Sequence, residues 1–505
     1  MNALGRIVCL AAACAALSAC AKAPLAVAPA PERTAIAASL MRDIAVLSSD
    51  EFGGRMPGTA GEERTVAFLI NHMQSAGLVS GTNDPGSAWR APVELVSSAP
   101  IAGEIVFVDG DARQRIEPGM AAAFTTARRL LVESSPMIFV GFDSSEVDPE
   151  SIAGKVVVML GEPGQSPQRR AELFNADPAA IITVVEDEAA IEGVNRAFGR
   201  ERLILQSEDE KRLTAFVTHS AMRLANGADH WDALVEEAAK DNFSPGPLQP
   251  AVSISAMSNR REFASSNVLG LLPGAVPGSG AVLLLAHWDH LGECGNSDAG
   301  DDEGTENSAD QPRDLICNGA VDNASGIAVM LELTRRLAAS GPHDRDIYVL
   351  ATTAEESGLL GAKAFAEAPP VPLDTIVAAF NFDTSAIAPA GSPVGFVGEG
   401  RTPLDPVILE MLAQAGRELG DKQFAESFVR RQDGWALLEK GVPTVFLSTA
   451  FGSEIVLGPY LARDYHRPSD EDGRIELGGA IDDLLLHEAL VRRFASTAAY
   501  PLGDK

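Results

Sequence analysis

Past about residue 262, apolar residues fall in continuous runs of strand length, at 281–286, 347–351, 376–380 and 442–447. Between them lie segments with helical spacing, at 325–339, 359–366, 404–419 and 434–439. In the first of these, Ile327, Met330, Leu331, Leu333, Thr334 and Leu337 fall near one face. Unbroken apolar strands alternating with amphipathic helices predict an α/β fold: a mostly parallel central sheet with helices on both faces. Two further helices are expected around 34–47 and 61–76, flanking the turn Ser-Asp-Glu-Phe-Gly-Gly-Arg at 49–55. From about 100 to 255 the texture changes. Short β-prone runs at 105–108, 137–140 and 155–159 alternate with Gly, Pro and Asp turns. The spans 34–100 and 256–505 therefore read as two parts of one α/β domain, with an inserted β-rich domain over 101–255.

Polar residues with metal-binding chemistry sit where the apolar runs end. His287 and Asp289 follow the run 281–286, Glu355 and Glu356 follow the one beginning at 347, and Asp383 closes the one beginning at 376. In a parallel sheet all strand carboxyl ends point to one rim, so three strands deliver these side chains to one place. Asp322 lies in a loop just before a helix, and His466 lies in the loop Asp464-Tyr465-His466-Arg467-Pro468. Both can reach that rim. Singly, each residue has a bland reading: surface charge for a Glu-Glu pair, a helix cap for Asp322, a turn former for Asp383, a solvated loop residue for His466. Together they are too many carboxylates to crowd without cations. Imidazoles and carboxylates without thiolates suit Zn2+, with Co2+ or Mn2+ as substitutes, and five ligands meet the count for two ions about 3.5–4 Å apart.

The amino terminus has another character. Arg6 precedes a short apolar stretch, 7–16, and Leu17-Ser18-Ala19-Cys20 follows. This resembles a bacterial lipoprotein signal, which implies a signal peptide over 1–19, a lipid on Cys20, and a tether over 20–33 that is rich in Ala and Pro at its start. Ala21 favours the outer membrane. No later stretch approaches the ~18 apolar residues of a transmembrane helix, so membrane contact is expected only through the lipid. A formal net charge of −30 argues against nucleic acid and anionic surfaces as partners. Cys294 and Cys317, left as an even pair in an oxidising compartment and bracketing a polar loop, are expected to form a disulfide. That loop holds eight Asp or Glu against one Arg between Glu293 and Asp314. It reads first as a solvated segment and second as an attractor for an α-ammonium group.

The strings Ala286-His287-Trp288-Asp289-His290-Leu291-Gly292, Gly319-Ala320-Val321-Asp322-Asn323-Ala324-Ser325-Gly326, Ala354-Glu355-Glu356-Ser357-Gly358, Asn381-Phe382-Asp383 and Tyr465-His466 occur in one order. In that order they resemble the dizinc aminopeptidase family, which includes bacterial leucyl aminopeptidases, aminopeptidase Y and glutamate carboxypeptidase. The likeness covers roughly 262–500, and the segment 45–80 is similar to the family's opening section. The insert resembles a protease-associated domain, best at 152–158. The resemblance implies a peptide substrate, one zinc on His287 and Asp383, the other on Glu356 and His466, and Asp322 bridging. It also implies Glu355 as general base, Asp289 fixing the His287 ring, and a cis peptide at Asp322–Asn323. Support of His466 by Asp470, in the way Asp289 supports His287, is a minority reading, and His290 is expected to be a rim residue rather than a sixth ligand. Many relatives carry a Ser-Asp pair where this chain has Gln432-Asp433. Asp433 keeps the acid and the serine is absent, which puts the substrate-side wall in doubt. Two other classes share the fold: glutaminyl cyclases, with one catalytic zinc, and receptor-like binding proteins with a degraded site. The intact ligand set favours a metallo-aminopeptidase.

Overall fold

The computed structural model describes residues 28–142, 147–162, 166–240, 242–294 and 314–502. Cys20 with its leader, and most of the acidic loop after Cys294, lie outside these residues. The chain forms two compact units, one of residues up to Val93 together with those from Ser265, the other Glu94–Ala264. The second unit is wider than the apolar pattern suggests. The strands leading in and out, Arg90–Asp109 and Gly246–Leu272, are long and straddle the boundaries.

In the first unit the strand order is Gly395–Val397, Thr444–Ser448, Ile376–Asn381, Ala281–His287, Asp346–Thr352, then the end of Gly246–Leu272 and the short Val79–Ser80. The four central strands are parallel, and the outer pairings are antiparallel. The apolar runs are unbroken because both sheet faces are covered. Along Ala281–His287, Val282, Leu284 and Ala286 point into a core with Ile36, Leu40 and Ile44 of the helix Ala30–Leu47, Ile327 and Met330 of Gly326–Ser340, and Leu484 and Phe494 of Leu477–Ala495. Leu283 and Leu285 point the other way, to Phe365 of the helix Leu360–Glu367 and Leu437 of Gly434–Leu438. This is the period of two that a strand imposes, with a helical layer on each side.

The helices expected around 34–47 and 61–76 are Ala30–Leu47 and Ala60–Ser75. The one expected at 404–419 is shorter, Asp405–Gln414, and is followed closely by Gly416 in a left-handed conformation (φ 64°).

The second unit has its own core, in which Val156, Val158, Ile182, Val217 and Trp231 are buried together. Its strands Arg129–Gly141, Val156–Leu160, Ala180–Val185 and Leu213–Thr218 are parallel. Among its described residues, the helices Ser166–Phe174, Glu188–Phe198, His219–Asn226 and Ala228–Ala238 stand between or after strands. None of the residues assigned to chemistry lies in this unit. No described helix of the chain is long and apolar enough to cross a membrane.

Candidate metal centre

Strand register brings the first residues of the site together. Leu285 is paired with Asn381, and His287 with Thr352. His287 therefore has Asp383 beside it on one neighbouring strand and the turn carrying Glu355 and Glu356 on the other. The His287 ring lies with Nε2 3.4 Å from Asp322 Oδ1 and 3.6 Å from Asp383 Oδ1. His466 places its Nε2 3.4 Å from Asp322 Oδ2 and 2.8 Å from Glu356 Oε2. The two oxygens of Asp322 thus face two different imidazoles. His287 groups with Asp322 and Asp383, and again with Glu355 and Glu356, while His466 joins through Asp322 and Glu356, so all five residues expected as ligands come together.

The turns that present these groups are held in unusual backbone geometry. Ala354, before Glu355, has φ 52°; Thr384, after Asp383, has φ 46°; His466 itself has φ 59°. Such left-handed residues other than glycine cost on the order of 1 kcal/mol each and persist where the surroundings over-determine them. The Asp322–Asn323 peptide is cis. Asn323, fully buried, ties the Asp322 loop to the Asp383 strand end. Its Nδ2 donates to the Phe382 carbonyl (3.0 Å), and its Oδ1 accepts from Gly326 (3.0 Å) and Thr384 (3.3 Å) backbone N–H groups.

Three readings of supporting residues are refined. The Asp289 carboxylate is within ion-pair reach of the His287 Nδ1 at 3.8 Å, while the Asp289 backbone carbonyl is the nearer partner at 3.2 Å. The carboxylate also accepts from the backbone N–H groups of Glu355 (3.0 Å) and Glu356 (3.4 Å), so it fixes the turn that presents both glutamates. Asp470 supports Asp322 rather than His466. It accepts from the backbone N–H groups of Val321 (2.9 Å) and Asp322 (3.1 Å), and the Tyr460 hydroxyl donates to it (2.9 Å). His290 is not a rim residue. It is buried, with Nδ1 2.6 Å from Glu356 Oε1, leaving the other carboxylate oxygen to face His466.

Arg55 was not singled out by its sequence. It is buried beneath the site, where its guanidinium donates to the carbonyls of Trp288 (2.8 Å), Leu47 (2.8 Å), Asn318 (2.6 Å) and Gly319 (3.0 Å). One side chain thereby joins the His287 strand end to the Asp322 loop. Burial lowers its pKa to about 10, opposed by Asp470, Asp322, Asp289 and Glu356. The preceding Gly54 (φ 62°) allows the approach, since a Cβ there would meet the Cys317 carbonyl at 2.5 Å and the Gly292 Cα at 2.8 Å. Arg55→Met is expected to destabilise the fold by roughly 3–4 kcal/mol, because it strands four buried carbonyls. Urea unfolding measures this, and a loss under 1 kcal/mol would refute the role. Cys317, beside this turn, is joined to Cys294 with Cα atoms 5.8 Å apart.

Crowding sets the electrostatics. Burial, outweighing the nearby His287 ring, holds the Glu355 carboxyl well above the usual range. Burial pushes Asp289 up to about 7 and Asp433 up to about 6. Asp433 accepts from the Thr352 hydroxyl. Burial opposes charge on Asp322 too, but the His287 and His466 rings hold it well below its ordinary value. Burial lowers His466, but Asp322 and Glu356 outweigh it and raise the ring to about 10. Ring nitrogens at 2.8–3.6 Å from hard oxygen donors suit divalent cations of the zinc type.

Beside the cluster opens a pocket lined by Asp322, Glu355 and Asp383, with walls that include Phe428, Phe446, Phe451 and Tyr465.

Residues 267–482 match the model of peptidase family M28. The chain is similar in structure to an aminopeptidase from Aneurinibacillus sp. strain AM-1, with 15% identity, 91% of this chain and 94% of that chain covered, and a TM-score of 0.56. That likeness shows a shared fold. A zinc aminopeptidase from Bacillus subtilis aligns at 16% identity over 91% of this chain and 96% of its own, with a TM-score of 0.47. A glutaminyl cyclase from Fimbriiglobus ruber aligns at 12% identity over 93% and 97%, with a TM-score of 0.41. No curated protein sequence matches the chain.

Proposed function

From the match of residues 267–482 to the model of peptidase family M28, we propose that the chain is a dizinc aminopeptidase of the bacterial cell envelope. The observation that carries this reading is the placement of Asp322, with Oδ1 facing His287 and Oδ2 facing His466 at 3.4 Å each. That is the disposition a bridging carboxylate requires. His287 and Asp383 would complete one site, and Glu356 and His466 the other. Two zinc ions held there would polarise the scissile carbonyl and acidify the attacking water.

The protein's own groups supply the rest. Glu355, in the cluster and lining the pocket, accepts the proton of the attacking water and returns it to the leaving amine nitrogen. Asp289 fixes the Glu355 turn through two backbone N–H groups, so the carboxylate meets the attacking water from a set direction. His290 holds one Glu356 oxygen and thereby orients the other. The side chain of the residue being cleaved occupies the aromatic pocket.

The reading includes export. The lipoprotein-like start at Cys20, which falls outside the described residues, would anchor the chain through its lipid, in the outer membrane as Ala21 suggests. The Cys294–Cys317 pairing suits an oxidising compartment. The unit 94–264 would be a protease-associated-like insert. A panel of peptides with free and blocked termini, assayed with zinc and with a chelator, tests the function. Cleavage confined to free amino termini and abolished by the chelator is expected. Equal cleavage of amino-blocked peptides would refute the aminopeptidase assignment.

A further inference from the structure

One polar side chain of the pocket has no part in the chemistry above. Of the described residues lining it, Arg431 is the sole cation. It is exposed at the pocket's edge, and its guanidinium lies over the Phe428 ring, 5.3 Å from its centroid. Of the nearby arginines, Arg401 pairs with Glu426, Arg463 with Asp464, and Arg474 also reaches Asp464, while Arg430 lies over the Trp435 ring, outside the pocket lining. Gln432 is spent on the Val429 carbonyl and the Gly434 N–H. No ion pair or side-chain hydrogen bond occupies Arg431 among the described residues, although the chain carries 70 Asp and Glu against 40 Lys and Arg. None of the three carboxylates in the same pocket is within ion-pair distance of it.

An unpaired guanidinium beside an apolar wall is suited to a planar anion brought in by the ligand. A peptide whose cleaved bond lies close to its end brings such an anion with it. We infer that Arg431 is a substrate anchor that takes the free carboxylate of a short peptide, so that the site prefers dipeptides and similarly short free acids over internal or amidated sequences. The inference rests on the peptidase reading for the position of the scissile bond. It names a substrate class that the metal cluster does not dictate. A carboxylate on a side chain has the same chemistry as a terminal one, so the two sources must be separated experimentally.

Binding is measured by calorimetry on the zinc-loaded chain carrying Glu355→Gln, so that ligands survive. The ligands are Leu-Phe, Leu-Phe-amide and Leu-Glu-amide. Leu-Phe is expected to bind roughly tenfold or more tighter than its amide, with Leu-Glu-amide resembling the amide. Adding Arg431→Met should bring the acid and the amide to near parity, and Arg431→Lys should restore part of the difference. Equal binding of acid and amide with Arg431 intact would overturn the anchor, as would a preference that survives Arg431→Met. Tight binding of Leu-Glu-amide with a weak free acid would overturn the terminal assignment in favour of acidic side chains. Because these readouts are affinities, they stand apart from a failure of the chain to hydrolyse peptides, which would instead strike the proposed function.

Discussion

Replacing Glu355 by glutamine is expected to lower kcat by about 10²–10⁴-fold while the protein still retains about two zinc ions per chain, the count for the proposed paired site. The side chain lies in the cluster with His287 and Glu356, yet its assigned task is to move a proton. Glutamine keeps nearly the same shape and the same backbone turn, because Asp289 holds that turn through main-chain N–H groups. What glutamine lacks is a basic oxygen. Metal analysis and steady-state kinetics on the same preparation separate the two quantities. Activity within threefold of the unaltered enzyme would falsify the assignment of Glu355 as the base. Loss of zinc together with activity would show that it is a ligand instead.

Asp322→Asn is expected to fail in the opposite way, losing metal as well as rate. Each carboxylate oxygen faces a different imidazole. An amide offers one oxygen and an N–H donor, so one of the two ions would meet a donor in place of an acceptor. The backbone should tolerate the change, since Asp470 and Tyr460 hold the loop through main-chain and hydroxyl contacts that do not involve the Asp322 side chain. Zinc affinity is expected to drop by more than about 100-fold, beyond the usual effect of removing an outer partner of a ligand. Dialysis against a graded chelator followed by metal analysis reads the loss. Retention of two ions at the chelator concentration that the unaltered chain tolerates would exclude a bridge.

The chemistry of this site follows from two facts, register and burial. Register brings His287, Asp383 and the Glu355–Glu356 turn together, because parallel strands with Leu285 opposite Asn381 and His287 opposite Thr352 must end side by side. Burial then makes the cluster costly unless cations offset it, and the same burial raises Glu355 and Asp433. The supporting residues form a second layer directed at the backbone. Asp289, Asp470, Asn323 and Arg55 all contact main-chain groups of the loops that carry the proposed ligands. Such contacts set the geometry and leave the cluster's carboxylate oxygens free to take a cation.

Much of this was legible along the chain because local pattern and strand geometry are short-range. Unbroken apolar runs require a sheet covered on both faces, and polar residues directly after such runs must stand on one rim. Those two statements place His287, Asp289, Glu355, Glu356 and Asp383 on one rim, and Asp322 and His466 lie in loops that can reach it. The roles of Asp289, Asp470, His290 and Arg55 depended on the folded chain. Asp470 meets a backbone 148 residues away, and Arg55 one 264 residues away. No periodicity or spacing encodes such pairings, since a side chain's depth and partners depend on how distant loops pack. A buried histidine on a ligand and a rim histidine in water have the same sequence neighbourhood, and only close packing of the loops distinguishes them.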